Sequence, residues 1–373
     1  MSQPAQQIRF CTSRDGTRIA YATSGEGPPL VWAANLFHHI ELDWQSPVWL
    51  PWIATLGRRN RLIRYDLRGC GLSDRDTLEF SLDKFVEDLQ AVTDAARADR
   101  FTLFGVSAGA ATAITYAVRN PRRVNGLVLY ASFVRNKLAG RPTPAEQAEA
   151  QARLKVMELG WPDTNPAYAR FYPSLHIPDA SPEQFRTFAD LARRTTSPAN
   201  AVGLVRAFFG IDLREIVAHV SSPTLVLHPR EDAIVPFEQG RSVAGLIPGA
   251  RFVPLESRNH VLLDTEPAWR QFVEAMEEFL PALVANPVGH SQFPFGELTA
   301  RQREVLDLVA RGLDNSDIGH RLGISPRTAR NHIAIILAKL GISSRAQAIV
   351  RGREAGFGAA ASGAAGVTQA RAP

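Results

Sequence analysis

Short apolar runs alternate with longer amphipathic stretches from residue 29 to residue 280 of this chain. Parallel strands need long crossover connections, which are usually helices, so the alternation predicts an α/β fold with a mostly parallel sheet covered on both faces. The predicted strands are 30–34, 61–65, 101–105, 126–130, 224–228 and 251–255. Between residues 132 and 222 the alternation stops, and helical segments punctuated by prolines predict a helical lid.

Length and composition predict two domains. The chain has 373 residues, which is more than one compact domain usually holds. We predict a first domain at 1–282 with its lid at 133–221, a linker at 283–295, a small all-α domain at 296–357 and a disordered tail at 358–373. The linker follows a helix predicted over 269–280, which we expect to end at Pro281.

The formal net charge of +5 lies entirely in the last part of the chain. Residues 292–373 contain eleven Lys and Arg against six Asp and Glu, and the rest of the chain is balanced. These charges sit inside an amphipathic helical pattern and not in a run. We therefore expect this part of the chain to meet a polyanion.

Cysteine content and hydropathy point to the cytoplasm. Cys11 and Cys70 form no Cys-x-x-Cys pair, and two cysteines cannot build a disulfide framework. Residues 1–25 lack the apolar core of a signal peptide, and no window approaches the ~20 apolar residues of a spanning helix. We expect a cytoplasmic chain with no membrane partner, no cofactor and no metal.

The sequence GVSAG at 105–109 lies between the apolar run 101–104 and the helical stretch 110–119. Small residues around Ser107 allow a sharp, strained turn that lifts its hydroxyl above the sheet edge. The helix that follows favours developing negative charge at its N-terminus. A serine needs a base to take its proton, so Ser107 is a candidate nucleophile only if a histidine and a carboxylate accompany it.

Both partners follow in the chain order that such a nucleophile requires. Asp232 comes just after strand 224–228, and His260 comes just after strand 251–255. Loops at the carboxyl ends of parallel strands gather at one edge of the sheet, and His260 alone among nine histidines combines this order with this location. Glu231 is the competing acid; Asp232 is preferred because it lies one residue further into the loop.

Residues 15–280 resemble the α/β-hydrolase superfamily. The segment DLRGCGLS at 66–73 is similar to the family's D-x-R-G-x-G-x-S, and 30–34 resembles the strand before its oxyanion loop. The resemblance implies catalytic roles for Ser107, Asp232 and His260, with the N–H groups of Leu36 and Ala108 as oxyanion donors. Ala34-Asn35 replaces the usual His-Gly. Two alternatives therefore remain: a domain that hydrolyses its ligand, and a binding pocket that keeps the triad residues without hydrolysis.

A second set of signals lies between residues 298 and 340. Thr299 and Gln302 form a capping-box pattern at the start of one helix, and a short helix is predicted over 315–322. The tight turn 323–325 leads into a longer helix, with Ser325 as its N-cap and a proline at its first position. Such a pair of helices is typical of proteins that place the second helix in the DNA major groove.

Residues 296–356 closely resemble the LuxR-type helix-turn-helix family. The matches include Leu298-Thr299, Glu304-Val305-Leu306, Gly312-Leu313, Ile324-Ser325, Lys339-Leu340 and Ser344-Arg345. The resemblance implies double-stranded DNA as partner, with Arg330, Asn331 and Ala334 facing bases and Arg327, Thr328 and Lys339 contacting phosphates. It also implies a homodimer formed through the helix 344–354.

These signals favour a DNA-binding transcription regulator whose α/β-hydrolase domain binds a small molecule such as an ester, lactone or aromatic compound. We expect it in the bacterial cytoplasm, on the nucleoid when bound to DNA. The alternatives are an active serine esterase or lactonase with an accessory DNA-binding domain, and a scaffold without DNA affinity. Five lid aromatics are candidates to line a ligand pocket or plain core, namely Trp161, Phe171, Tyr172, Phe208 and Phe209.

Overall fold

The computed structural model describes residues 6–76, 79–161, 170–285, 298–340, 342, 344–354 and 357–358. It divides into two compact units, Met1–Pro287 and Val288–Pro373. Within the described residues, no single helix has both the length and the hydropathy to cross a membrane; one bent pair, Pro326–Leu340 with Arg345–Arg353, passes that test by length and composition alone.

The first unit is built on one eight-stranded sheet in the order β1-β2-β4-β3-β5-β6-β7-β8. Its strands are β1 (Gln7–Thr12), β2 (Arg18–Ser24), β3 (Pro29–Ala33), β4 (Arg61–Tyr65), β5 (Phe101–Val106), β6 (Val124–Tyr130), β7 (Thr224–Pro229) and β8 (Arg251–Leu255). The pairs β1·β2 and β2·β4 are antiparallel, and all other pairs are parallel. The six predicted strands are confirmed, whereas the antiparallel strands β1 and β2 were not predicted.

Helices cover both faces of this sheet, and four of those among the described residues lie in the predicted lid between β6 and β7. They are α1 (Trp49–Gly57), α2 (Leu82–Ala95), α3 (Ala108–Arg119), the lid helices α4 (Pro144–Gly160), α5 (Phe171–His176), α6 (Pro182–Thr195) and α7 (Pro198–Phe209), then α8 (Phe237–Leu246) and α9 (Pro267–Ala285). Thr143, Ser181 and Ser197 cap α4, α6 and α7 through their hydroxyls, and each cap is followed by proline. The lid prolines at these positions therefore start helices and do not break them.

The central strands bury both of their faces, which places the core on either side of the sheet. Val31 and Leu103 pack into one apolar cluster, while their neighbours Leu30 and Phe104 pack into the other. Near-continuous apolar runs are the expected pattern for parallel strands that helices cover twice.

Helix α9 does not end at Pro281, contrary to the sequence prediction. It continues through this proline to Ala285. Proline removes one main-chain hydrogen bond from a helix interior. Leu283 offsets that loss because it is buried against Gly126, where an added Cβ would lie 2.2 Å from the leucine side chain. The helix thus extends into the predicted linker, whose residues 286–295 lie outside the described residues, as does the tail from 359 onward.

The second unit contains four helices among its described residues, namely α10 (Ala300–Ala310), α11 (Asn315–Leu322), α12 (Pro326–Leu340) and α13 (Arg345–Glu354). The capping box of Thr299 and Gln302 is formed as predicted. Gly323 ends α11 in the left-handed region at φ 64°, and the Ser325 hydroxyl accepts from the amide of Thr328 at the start of α12. The helices close on a small apolar core of Leu298, Val305, Leu306, Leu308, Val309, Ile318, Ala329, Ile333, Ile336, Leu340 and Ala348.

Candidate functional site

Ser107 sits on the strained turn between β5 and α3 that its neighbours predicted. Its backbone has φ 52° and ψ −113°, a conformation that non-glycine residues rarely adopt. The flanking glycines explain how the chain reaches this conformation. A Cβ added at Gly105 would lie 2.6 Å from the Cα of Ala110, and a Cβ added at Gly109 would lie 2.5 Å from the carbonyl oxygen of Ala33. Only glycine lets α3 approach β3 and β5 this closely.

Asp232 and His260 meet behind this turn. The distance from His260 Nδ1 to Asp232 Oδ2 is 2.7 Å, and the amides of Ile234 and Val235 donate to Asp232 Oδ1 at 2.8 and 3.0 Å. Burial acts to raise the pKa of Asp232, but His260 and the amide donors outweigh it and lower that pKa. Glu231 is exposed. The Asp232 carboxylate therefore fixes the proton of His260 on Nδ1 and leaves Nε2 as the basic atom.

The loop that carries His260 is anchored on both sides. The indole of Trp52 donates to the carbonyl of Leu262 at 3.0 Å, and the amide of Val261 donates to the carbonyl of His176 at 3.0 Å. The first contact comes from the core and the second from lid helix α5. The position of the His260 ring thus depends on where the lid packs.

Ser107 and His260 line the same cleft. Within the described part of the chain, no hydrogen bond connects the Ser107 hydroxyl with His260. The structure therefore places both residues at one cleft without the direct contact through which His260 would take the proton of Ser107.

The predicted oxyanion donors flank Ser107. Ala108 begins α3 directly after the turn, and Leu36 lines the cleft in the loop after β3. Neither amide has an acceptor among the described residues. Two residues beyond Asn35, which replaces the family's glycine, this loop puts Phe37 at φ 62° and packs its ring against Trp161 and Tyr172. Lid aromatics therefore hold the loop in its strained form.

The cleft has a volume of about 910 Å³ including its open mouth, and all five predicted lid aromatics line it. Among the lining residues that were not predicted, three carry basic side chains, namely Arg153, His176 and Arg193. His176 packs edge-on against His260 with ring centroids 5.4 Å apart, and its Nδ1 donates to the carbonyl of Tyr172 at 2.7 Å. Burial, followed by the electrostatic influence of His260, lowers the pKa of His176 to about 3. His176 is therefore neutral at physiological pH, with Nε2 as an acceptor.

The segment 66–73 holds two loops near the site together through hydrogen bonds to Asp66. Asp66 accepts hydrogen bonds from the amides of Ile40 and Leu72, each at 2.7 Å, and burial raises its pKa to about 8. Gly71, at φ 55°, is required because a Cβ there would lie 2.1 Å from Asp66 Oδ2. The segment thus ties the loop after β3 to the loop after β4.

In the second unit, one face of α12 carries the predicted DNA-contacting residues. Arg327, Thr328, Arg330, Asn331 and Ala334 are all exposed. The prediction for Lys339 is less direct, because this residue is only half-exposed and its ammonium donates to Gln302 Oε1 at 2.8 Å. Lys339 therefore links α12 to α10 within the unit.

Helix α13 packs on the rest of the second unit through the buried Ala348 and through polar contacts. Arg345 donates to Asn315 Oδ1 at 2.9 Å and to the carbonyl of Leu313, and Arg353 donates to the carbonyl of Ala310 at 2.8 Å. Val350, on the same helix, is 57% exposed. One apolar side chain of α13 thus remains uncovered by its own unit.

Comparisons with known proteins agree with both units. Residues 36–267 match the alpha/beta hydrolase fold family, and residues 296–351 match the luxR family of bacterial regulatory proteins. The pimeloyl-acyl-carrier-protein methyl ester esterase of Nitrosomonas europaea is 29% identical over 267 residues, which cover 69% of this chain and 98% of that enzyme. A Mycobacterium bovis protein named as an HTH-type transcriptional regulator is 36% identical over 89 residues, 23% of this chain and 10% of that protein.

Among solved structures, a hydrolase from Pseudomonas aeruginosa superposes with a TM-score of 0.60 at 24% sequence identity, covering 74% of this chain and 98% of that one. At this identity the similarity shows the fold alone. Together with the family matches, it agrees with an α/β-hydrolase fold for the first unit, and the luxR family match agrees with the helical second unit. The chain belongs to the α/β-hydrolase fold family, and it joins that domain to a helix-turn-helix domain of the luxR family.

Proposed function

We propose that this chain is a DNA-binding transcription regulator whose α/β-hydrolase domain binds a small-molecule ligand. One observation carries the proposal: the same chain holds an apolar cleft at Ser107 and a helix with exposed Arg327, Arg330 and Asn331. Arginine recognises guanine and asparagine recognises adenine through paired hydrogen bonds in the major groove. The ligand would act from the bacterial cytoplasm on a regulator bound to the nucleoid.

On DNA, we propose that α12 enters the major groove. Arg330, Asn331 and Ala334 face the bases, while Arg327 and Thr328 contact phosphates. Lys339 adds to the positive charge near the DNA, but one N–H of its ammonium donates to Gln302. Two copies pair through α13, where the exposed Val350 supports an apolar contact. The dimer then reads two half-sites about one helical turn apart.

The test is selection of genomic DNA fragments by the full-length chain. We expect an enriched motif whose affinity falls steeply with salt, because bound cations release counterions from DNA. Arg330→Ala should weaken binding and relax the preference at one base pair. Arg270→Ala removes an equal charge from an exposed site on α9 and should change neither property. Recovery of fragments without any shared motif would favour the scaffold alternative.

The ligand is proposed to bind between the sheet edge and the lid. Aromatic walls and a few polar groups are typical of small-molecule sites, and esters or lactones suit a carbonyl placed beside Ser107. The name of the Nitrosomonas europaea relative supports an ester. For the ligand to regulate, it must bind the DNA-competent and incompetent states with different affinity.

A second candidate function is hydrolysis of that ligand. The 2.7 Å contact between His260 and Asp232, together with the strained turn at Ser107, favours it. Ser107 would attack a carbonyl, His260 would take its proton, and the amides of Leu36 and Ala108 would hold the oxyanion. Hydrolysis of p-nitrophenyl butyrate that disappears in Ser107→Ala would support catalysis. Ligand-dependent DNA binding that survives in Ser107→Ala would support sensing alone.

A further inference from the structure

The cleft at Ser107 contains an excess of positive charge. Its basic lining residues are Arg153, Arg193, His176 and His260, and no Asp or Glu lines it among the described residues. Most other lining side chains are aliphatic or aromatic. A guanidinium is costly to place beside apolar surface unless it has a partner for its charge and its N–H groups.

Arg153 lies on α4. Its only carboxylate partner among the described residues is Glu149, which also pairs with Lys137. Arg153 Nη2 is 2.7 Å from Glu149 Oε1, and Lys137 Nζ is 2.9 Å from Glu149 Oε2. Two cations therefore compete for one anion. The Arg153 side chain is 20% exposed, so little water replaces the missing negative charge.

Arg193 repeats this arrangement on α6. Its Nη2 is 3.6 Å from Asp190 Oδ1, and Arg194 Nη1 is 3.9 Å from Asp190 Oδ2. Both distances exceed that of a charge-assisted hydrogen bond. The Arg193 side chain is 21% exposed. Among the described residues, α4 and α6 thus each bring one incompletely neutralised guanidinium to the cleft.

The charge of Arg153 extends to the catalytic end of the cleft. It contributes to the lowered pKa of His176, which packs against His260. An anion bound near Arg153 therefore lies within electrostatic range of these histidines, on the side of the cleft formed by the lid.

We propose that the cleft selects an anionic ligand: an ester or lactone that places its carbonyl near Ser107 and a carboxylate against Arg153 and Arg193. The apolar walls hold the carbon chain between these two ends. The proposal deepens the proposed function and rests on ligand binding by this domain. Because the arginines lie on two different lid helices, a bound carboxylate also ties α4 to α6.

The test uses the full-length Ser107→Ala chain, so that no probe is turned over. Monomethyl esters of the linear dicarboxylic acids from succinic to sebacic acid are compared by calorimetry with the matching dimethyl esters. A charge-assisted hydrogen bond that replaces a neutral contact predicts at least about 10-fold tighter binding of one or more monoesters. Raising the salt concentration should reduce the difference in affinity between monoesters and diesters.

Three further variants assign the effect. Arg153→Gln and Arg193→Gln should each reduce the preference for the monoester several-fold, while Arg153→Lys keeps the charge and part of the preference. Lys155→Gln is the matched control, because Lys155 lies on the same helix but is 63% exposed, pairs with Glu158 and does not line the cleft. Tm values of all variants show whether each remains folded.

Three results would overturn the proposal. Equal or tighter binding of the neutral diesters overturns the anionic site while ligand binding by the domain stands. If neither series binds, the proposal that the ligand is an ester or lactone with a carboxylate is wrong. The selection of DNA fragments then tests separately whether the chain is a regulator. A preference for monoesters that both glutamine variants retain also contradicts the role of the two arginines.

Discussion

His176 makes the stability of the first domain depend on pH. Burial and the neighbouring His260 lower its pKa to about 3, whereas a histidine in an unfolded chain has a pKa of about 6.5. Between these values the unfolded chain binds a proton that the folded chain does not. This contribution to the free energy of unfolding is therefore complete above pH 6.5 and is lost as the pH falls toward 3. From pH 7 to pH 5 the loss is about 2 kcal/mol.

His176→Asn isolates this effect. The asparagine Nδ2 replaces the imidazole Nδ1 as donor to the carbonyl of Tyr172, and it does not titrate. Burial also lowers the pKa of His39 and His228, but both are present in the wild type and in the variant. The difference in unfolding free energy between the two proteins should therefore shift by about 2 kcal/mol in favour of the variant from pH 7 to pH 5.

Tryptophan fluorescence during urea unfolding is the suitable assay. All six tryptophans lie at or before residue 269, so the signal reports on the first domain alone. Parallel stability curves for the two proteins between pH 5 and pH 7 would refute the reasoning, because His176 would then titrate alike in the folded and unfolded chain.

Three other predictions concern the turn at Ser107, the triad and the DNA helix. Gly109→Ala forces a Cβ to within 2.5 Å of a β3 carbonyl and should lower the free energy of unfolding by about 1 to 3 kcal/mol, whereas Gly245→Ala, in open space on α8, should raise it slightly in the same urea assay. If the domain hydrolyses p-nitrophenyl butyrate, Asp232→Asn should lower kcat by about 10⁴, since the buried partner that orients His260 is lost; an unchanged kcat would exclude this triad. Arg327→Ala should reduce the salt dependence of DNA binding by about one ion without changing the selected motif, measured by fluorescence anisotropy; a changed motif would assign it to the bases.

The parts of the fold that local patterns dictate were predictable. Strands such as Phe101–Val106 bury both faces, so their residues are apolar throughout, and the turn at Ser107 needs glycines at fixed positions. The helix start at Thr299 follows from one cap and its partner three residues later. In each case the physical cause lies within a few residues of the feature.

The features that were missed depend on contacts between distant segments. Gln7–Thr12 is largely exposed at the sheet edge, so its sequence carries little apolar signal. Helix α9 passes Pro281 because Leu283 packs on β6. His176 and Arg153 reach the cleft through the packing of lid helices, and helical periodicity alone does not distinguish an arginine facing solvent from one facing a pocket.

The most direct test of this account is the affinity of the full-length Ser107→Ala chain for its selected DNA fragment, measured by anisotropy with and without the tightest-binding dicarboxylate monoester at saturation. Ligand and DNA must influence each other equally if they are coupled through one equilibrium. We predict that the ligand changes the Kd for DNA by about 5-fold or more, and that DNA changes the Kd for ligand by the same factor. An unchanged Kd for DNA at full occupancy of the cleft would contradict ligand control of DNA binding.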